Sequence, residues 1–183
     1  MGREVIDILA DVFLRRGADS YLGEQVTMSE HMYQCAQLAA DDGADDTLIA
    51  ACLLHDIGHY SGEFAEDAAD HGIDNRHDRS GGELLARHFP PAVSEPVRLH
   101  VLAKRYLCSA EPAYFAQLSA ASVHSLELQG GPLDADGRRR FEAEPFADAA
   151  VRLRRYDEGA KQVGVDVPGF EHWRPMLERL LLA

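Results

Sequence analysis

Leu53-Leu54-His55-Asp56-Ile57-Gly58-His59 is the stretch on which the reading of this chain turns. The apolar run from Leu48 to Leu54 fits a helix that buries one side and delivers an imidazole and a carboxylate at its C-terminal end. Gly58 then lets the chain turn. Adjacent imidazole and carboxylate suit first-row metals such as iron and manganese, whereas a thiolate-rich set would suit structural zinc or an iron–sulfur cluster. A His-Asp pair can also do no more than close a core helix, so the rest of the chain has to decide.

The chain has 183 residues, enough for one domain, 1–183, with a core that stands without staples. Its 46% hydrophobic and 27% charged content is that of a soluble globular protein, which argues against disorder. Cys35, Cys52 and Cys108 are odd in number and scattered, so they offer neither a disulfide framework nor a CxxC knuckle, and a reducing cytoplasm is the expected location. The N-terminus, Met1 to Asp7, interrupts its apolar positions with acids and reads as a helix start, not a signal peptide. No run approaches membrane-spanning length, so no membrane association is expected. Acids outnumber bases 31 to 18, and the resulting charge of −13 opposes nucleic acid as a partner. A small anionic substrate stays compatible with that charge if metal ions and a few local bases overcome the global field within one Debye length.

Outward from the His-Asp pair the chain reads as helices. Val5, Ile6, Leu9, Val12 and Phe13 recur at helical spacing before Arg15-Arg16-Gly17. Thr27-Met28-Ser29-Glu30 has the capping-box pattern and predicts a helix from Met28 to about Asp42, with His31 in its first turn beside Cys35 and Leu38. On that pattern alone His31 is a packed histidine as readily as a ligand. Tyr60 to Asn75 is acidic and irregular and reads as a long loop over the site. A helix from about Asn75 carries His77, and Gly81-Gly82 permits close backbone approach. Pro90-Pro91 is expected to break the chain and Ser94-Glu95-Pro96 to restart it, in a helix that puts His100 and Lys104 one turn apart. Short helices are expected over Tyr114–Leu118 and Ser122–Leu128. Further ones start near Asp134 and Phe146, and Phe170–Leu182 closes the chain. Arg138-Arg139-Arg140 reads as a solvated basic face, and Arg154 and Asp157 share a face at three-residue spacing. With no convincing strand, the expected fold class is all-α, a single helical bundle.

The order His31, His55-Asp56, His77, His100, Asp157 puts every candidate ligand on or at the end of a predicted helix. In that order the chain resembles the HD-domain superfamily, whose H…HD…D pattern gains two histidines in dinuclear members. The resemblance covers about Tyr21 to Lys161. It implies that His31, His55, Asp56 and Asp157 hold one metal and His77 and His100 a second, with Asp56 bridging. His71 competes for the place given to His77 but lies in the predicted loop, while His88, His124 and His172 read as ordinary surface or core histidines.

Most proteins of that superfamily are phosphohydrolases; a smaller branch activates oxygen on a mixed-valent di-iron site. Five stretches are similar to that branch, specifically the 2-amino-1-hydroxyethylphosphonate dioxygenases. They are Tyr21-Leu22-Gly23-Glu24, His55 to His59, His100 to Leu107, Gln129-Gly130-Gly131-Pro132 and Asp157-Glu158-Gly159-Ala160-Lys161. The resemblance implies two iron ions, Fe(II)/Fe(III), with O2 as co-substrate, and cleavage of a carbon–phosphorus bond to give glycine and phosphate. It implies that His59, Lys104, Ser122 and Arg154 hold the phosphonate, that Glu24 receives the substrate ammonium, and that Tyr21 occupies an iron position until substrate chelates. Lys104, His59 and Arg154 each lie about one turn from a ligand, so each ligand segment brings one phosphonate donor.

Three rivals remain at the level of sequence. An HD phosphohydrolase could use the same six ligands; a silent interaction module should have lost some of them. A related branch takes the trimethylammonio analogue and gives glycine betaine. Quaternary ammonium is usually held by an aromatic cage, and Tyr21 is the only clear wall, which favours the primary amine.

Overall fold

The computed structural model describes residues 2–16, 25–60 and 76–183. Among them lie ten α-helices and no strand element: α1 Gly2–Arg15, α2 Met28–Asp41, α3 Asp46–Leu54, α4 His77–Ala86, α5 Pro91–Ala110, α6 Pro112–Phe115, α7 Ala120–Leu128, α8 Ala135–Glu142, α9 Ala147–Gly159 and α10 Phe170–Leu180. A 3-10 turn, Ile57–Tyr60, follows α3. The fold is all-α, as the sequence predicts. None of these helices is long and apolar enough to cross a membrane.

The starts of α2 and α3 are written in local chemistry. Glu30 N–H donates to Thr27 Oγ1 at 3.2 Å and Thr27 N–H donates to the Glu30 carboxylate at 2.7 Å, a complete capping box. Asp45 accepts from Leu48 N–H at 2.9 Å and so begins α3. Every residue of α3 from Leu48 to Leu54 is buried, not one face alone. A helix that is apolar all round belongs in the interior, and α3 is accordingly packed by α2, α5, α9 and α10. The main core joins α1, α2, α3 and α10, with Trp173 and Leu177 closing it. A second cluster, Leu99, Ala103, Phe141, Ala147 and Ala150, ties α5 to α8 and α9.

The sequence misplaces the start of α5. Pro90 stands in the break between α4 and α5 as expected, but Pro91 is already the first helical residue and the helix runs 20 residues through Pro96. Proline at the first position needs no N–H partner, whereas Pro96 lies inside the helix and leaves the carbonyl of Ala92 without its intrahelical partner. Ser94, expected at the restart, is buried inside this helix. Smaller differences are one-turn shifts: α6 ends at Phe115, and Ser119 caps α7 by accepting from Ser122 N–H at 3.1 Å.

The turn after the His-Asp pair is pressed against α4. A Cβ placed on Gly58 would stand 1.9 Å from the carbonyl oxygen of His77 and 2.7 Å from Gly81 N, so only glycine fits. Gly82 does the same one layer on, where a Cβ would meet Arg98 Cβ at 2.7 Å. These two contacts stack the Gly58 turn, α4 and α5, and so bring His77 beside Asp56. Arg76, with φ 49° and ψ 35°, is the only non-glycine residue in the left-handed region among the described residues, and it launches α4 at His77.

Candidate metal centre

Six helical segments converge on one buried cluster. His31 comes from α2, His55 and Asp56 from the end of α3, His59 from the 3-10 turn, His77 from the first residue of α4, His100 from α5 and Asp157 from α9, and all are buried. Tyr21, Glu24, His71 and the loop expected between Tyr60 and Asn75 lie outside the described residues beyond Tyr60 itself.

The donor atoms fall into two sets that share Asp56. In the first, His31 Nε2 lies 3.1 Å from His55 Nε2 and 3.3 Å from Asp157 Oδ1, while Asp56 Oδ2 is 3.6 Å from His31 Nε2 and 3.2 Å from His55 Nε2. In the second, His77 Nε2 lies 3.1 Å from His100 Nε2, and Asp56 Oδ1 is 3.5 Å from the former and 3.7 Å from the latter. One carboxylate therefore turns one oxygen to each set. His59 stacks on His77 with ring centroids 4.1 Å apart, and its Nε2 is 4.0 Å from Asp56 Oδ1, so it borders the second set.

The protonation pattern fits cations. The Nδ1 atoms of His31, His55 and His100 face the carbonyl oxygens of Ala160, Cys52 and Val97 at 2.8, 2.8 and 2.7 Å. A carbonyl cannot donate, so each Nδ1 carries the hydrogen and each Nε2 presents a lone pair inward, the orientation of a metal-ligating imidazole. Asp56 Oδ2 and Asp157 Oδ1 are buried without a hydrogen-bond partner, which ordinarily costs several kcal/mol unless a cation takes their place. Burial lowers His77 well below its ordinary range and His100 to about 4; neighbouring imidazoles push the same way, His59 on His77 and His55 on His100, while Asp56 opposes them. His55 goes the other way: burial disfavours its charge, but Asp56 and Asp157 outweigh it and hold its pKa well above normal. The centre of the first set thus favours positive charge, of the kind a metal ion would supply.

Beside this cluster lies a network of bases and hydroxyls. Arg154 donates to Tyr114 OH at 2.8 Å, to Asp157 and to Glu158. Ser122 Oγ donates to Glu158 Oε2 at 3.3 Å and accepts from Lys161 Nζ at 2.8 Å. Lys104 Nζ donates to Ser125 Oγ at 2.8 Å, and Ser125 Oγ donates to the Ser122 carbonyl at 3.1 Å. Lys104, Ser122 and Arg154, which the sequence put together, are thus linked around one buried corner. Tyr114, Ser125, Glu158 and Lys161 complete it without having been singled out. The signal for two of them was in view, since Arg154, Glu158 and Lys161 recur at helical spacing and Glu158 and Lys161 lie in a stretch already quoted.

A family model for the HD domain matches residues 28–134. The chain belongs to the HD-domain family. Among its relatives in that family, a 1-hydroxy-2-(trimethylamino)ethyl phosphonate dioxygenase (glycine-betaine-forming) of Leisingera caerulea is 42% identical over 177 residues, covering 97% of this chain and 90% of the relative. A hydroxymethylphosphonate dioxygenase of Gimesia maris is 44% identical over 164 residues, covering 88% of this chain and 81% of the relative. Within the HD-domain family the chain therefore groups with phosphonate dioxygenases, as the quoted stretches imply. The His and Asp clusters of this HD domain have the make-up of a metal-binding centre.

Proposed function

We propose that the chain is a dioxygenase that uses O2 to cleave the carbon–phosphorus bond of a 1-hydroxy-2-aminoethylphosphonate-type substrate, giving glycine and phosphate. The observation that carries the reading is the pair of imidazole sets facing the two oxygens of Asp56, with Arg154 bonded to Asp157 at their edge. In this reading His31, His55, Asp56 and Asp157 hold one iron and Asp56, His77 and His100 the other, and the mixed-valent pair supplies oxygen activation and Lewis acidity when bound.

The protein's own part is binding and orientation. Lys104, Ser122 and Arg154 fix the phosphonate with charge-assisted hydrogen bonds, which are stronger and more directional than neutral ones. His59 caps the same end from the 3-10 turn. Glu24 and Tyr21 serve the other end, as ammonium partner and as an occupant displaced by substrate. Fixing both ends presents C1 in one orientation, and such positioning supplies much of the acceleration expected of an enzyme site. The buried walls exclude bulk water. The atoms balance with one oxygen of O2 entering the glycine carboxylate and the other the phosphate.

The names of both relatives support a hydroxyl and a phosphonate on one carbon as the shared feature. The Leisingera relative favours a second reading in which the amine is trimethylated and the product is glycine betaine. Turnover of the primary-amine, trimethylammonio and hydroxymethyl substrates separates the readings: the highest kcat/KM is expected for the primary amine. With labelled O2, one label is expected in each product. Phosphate release that proceeds equally without oxygen would convert the enzyme to a phosphohydrolase and end the proposal.

A further inference from the structure

The carboxylate of Glu158 collects the donors that a phosphonate needs. Its Oε2 accepts from Arg154 and, at 3.3 Å, from Ser122 Oγ, and its Oε1 accepts from Lys161 Nζ at 3.1 Å. The donors come from three places: α9, α7 and the segment after α9. We infer that Lys161 is a further phosphonate-binding residue and that Glu158 is an internal competitor, displaced from Arg154, Ser122 and Lys161 by the phosphonate. The inference rests on the proposed phosphonate subsite and adds two residues to it.

Charge and packing decide which group yields. Arg154 is flanked by two carboxylates, Asp157 and Glu158. A dianion entering beside both would meet two like charges at close range, which is strongly unfavourable away from water. Asp157 cannot leave: its side chain is 1% exposed and faces His31 and His55. Glu158 lies in the last turn of α9 with its side chain 13% exposed, so it has a route toward solvent. Its departure leaves Arg154, Ser122 and Lys161 oriented toward one point, and the three oxygens of a phosphonate offer more acceptors than the carboxylate they replace. The cost of moving Glu158 is subtracted from binding, so a small or weakly charged anion gains less from the corner than a phosphonate does.

Calorimetric titration of the metal-loaded protein with inorganic phosphate tests this. Glu158→Gln keeps the shape and removes the charge, and is expected to tighten phosphate about tenfold, roughly the worth of one charge-assisted bond. Glu158→Ala should also tighten it, so the inference does not hang on one variant. Lys161→Met should weaken phosphate by about tenfold. Glu127→Gln removes the same charge from exposed α7 surface and should leave affinity unchanged. Weaker or unaltered binding in both Glu158 variants, unaltered binding in Lys161→Met, or equal tightening in Glu127→Gln would overturn the inference. If Lys104→Met and Ser122→Ala leave phosphate binding intact, the subsite itself is misplaced; if they weaken it while the Glu158 and Lys161 variants fail, only the inference falls.

Discussion

At the residue scale, the centre depends on imidazoles whose outer nitrogens are committed to backbone carbonyls, because that commitment aims the inner lone pair. His100→Ala removes one inner nitrogen of the second set and leaves the first set whole, so purified protein should fall from about two irons per chain to about one. Retention of both irons would show that His100 is not a ligand. Lys104 carries the pH dependence. Burial first, and the Arg154 charge second, bring its pKa from 10.5 to about 7. The unfolded chain therefore binds the extra proton between those values, and stability rises with pH across that window. A phosphonate dianion reverses the preference by favouring the ammonium, so substrate KM should climb as pH rises past about 7, by up to about tenfold per unit. Lys104→Met should raise KM and flatten both trends; a KM profile unchanged in the variant would remove Lys104 from substrate binding.

Elements matter through the surfaces they leave bare. α3 ends in the His-Asp pair, and the next turn has to lie flat against α4, which the missing side chain of Gly58 allows. Gly58→Ala forces backbone against backbone, at a cost of roughly 1–3 kcal/mol or more. The displaced partner is the His77 peptide itself. Beyond a lower melting temperature, the variant should lose iron from the second set before the first. A melting temperature and iron content equal to the parent would refute the close-contact account. The capping box of α2 was legible because it is local. The start of α5 was not, because Pro91 and Pro96 have two local meanings and packing against α4 and α9 selects the helical one.

For the whole molecule, a net charge of −13 surrounds a corner in which Lys104, Arg154 and Lys161 are gathered. Burial shields the corner from salt and from the global field of that surplus acid. The metal centre also ties the molecule together, since its donors arrive from α2, α3, α4, α5 and α9. Ions that bind only the folded chain stabilise it by mass action, by about 2.7 kcal/mol per site at a hundredfold excess over Kd. Chelation should therefore lower the melting temperature by roughly 5–10 °C per site lost, with recovery on adding ferrous iron. A melting temperature indifferent to chelator would deny the cluster a metal.

The sequence by itself determined the helical class, the capping box of α2 and the order of the six candidate ligands, because periodicity, capping and short motifs act over a few residues. His31, His55, Asp56, His77, His100 and Asp157 could be named from that order. Their division into two sets about Asp56 was implied by the family resemblance; the distances that turn one oxygen of Asp56 to each set were decided only when α4 and α5 stacked against the Gly58 turn. The hydrogen bonds of Glu158 with Ser122 and Lys161 likewise need α7 and α9 side by side. Distances between residues far apart in the chain are set by packing, which local spacing does not encode.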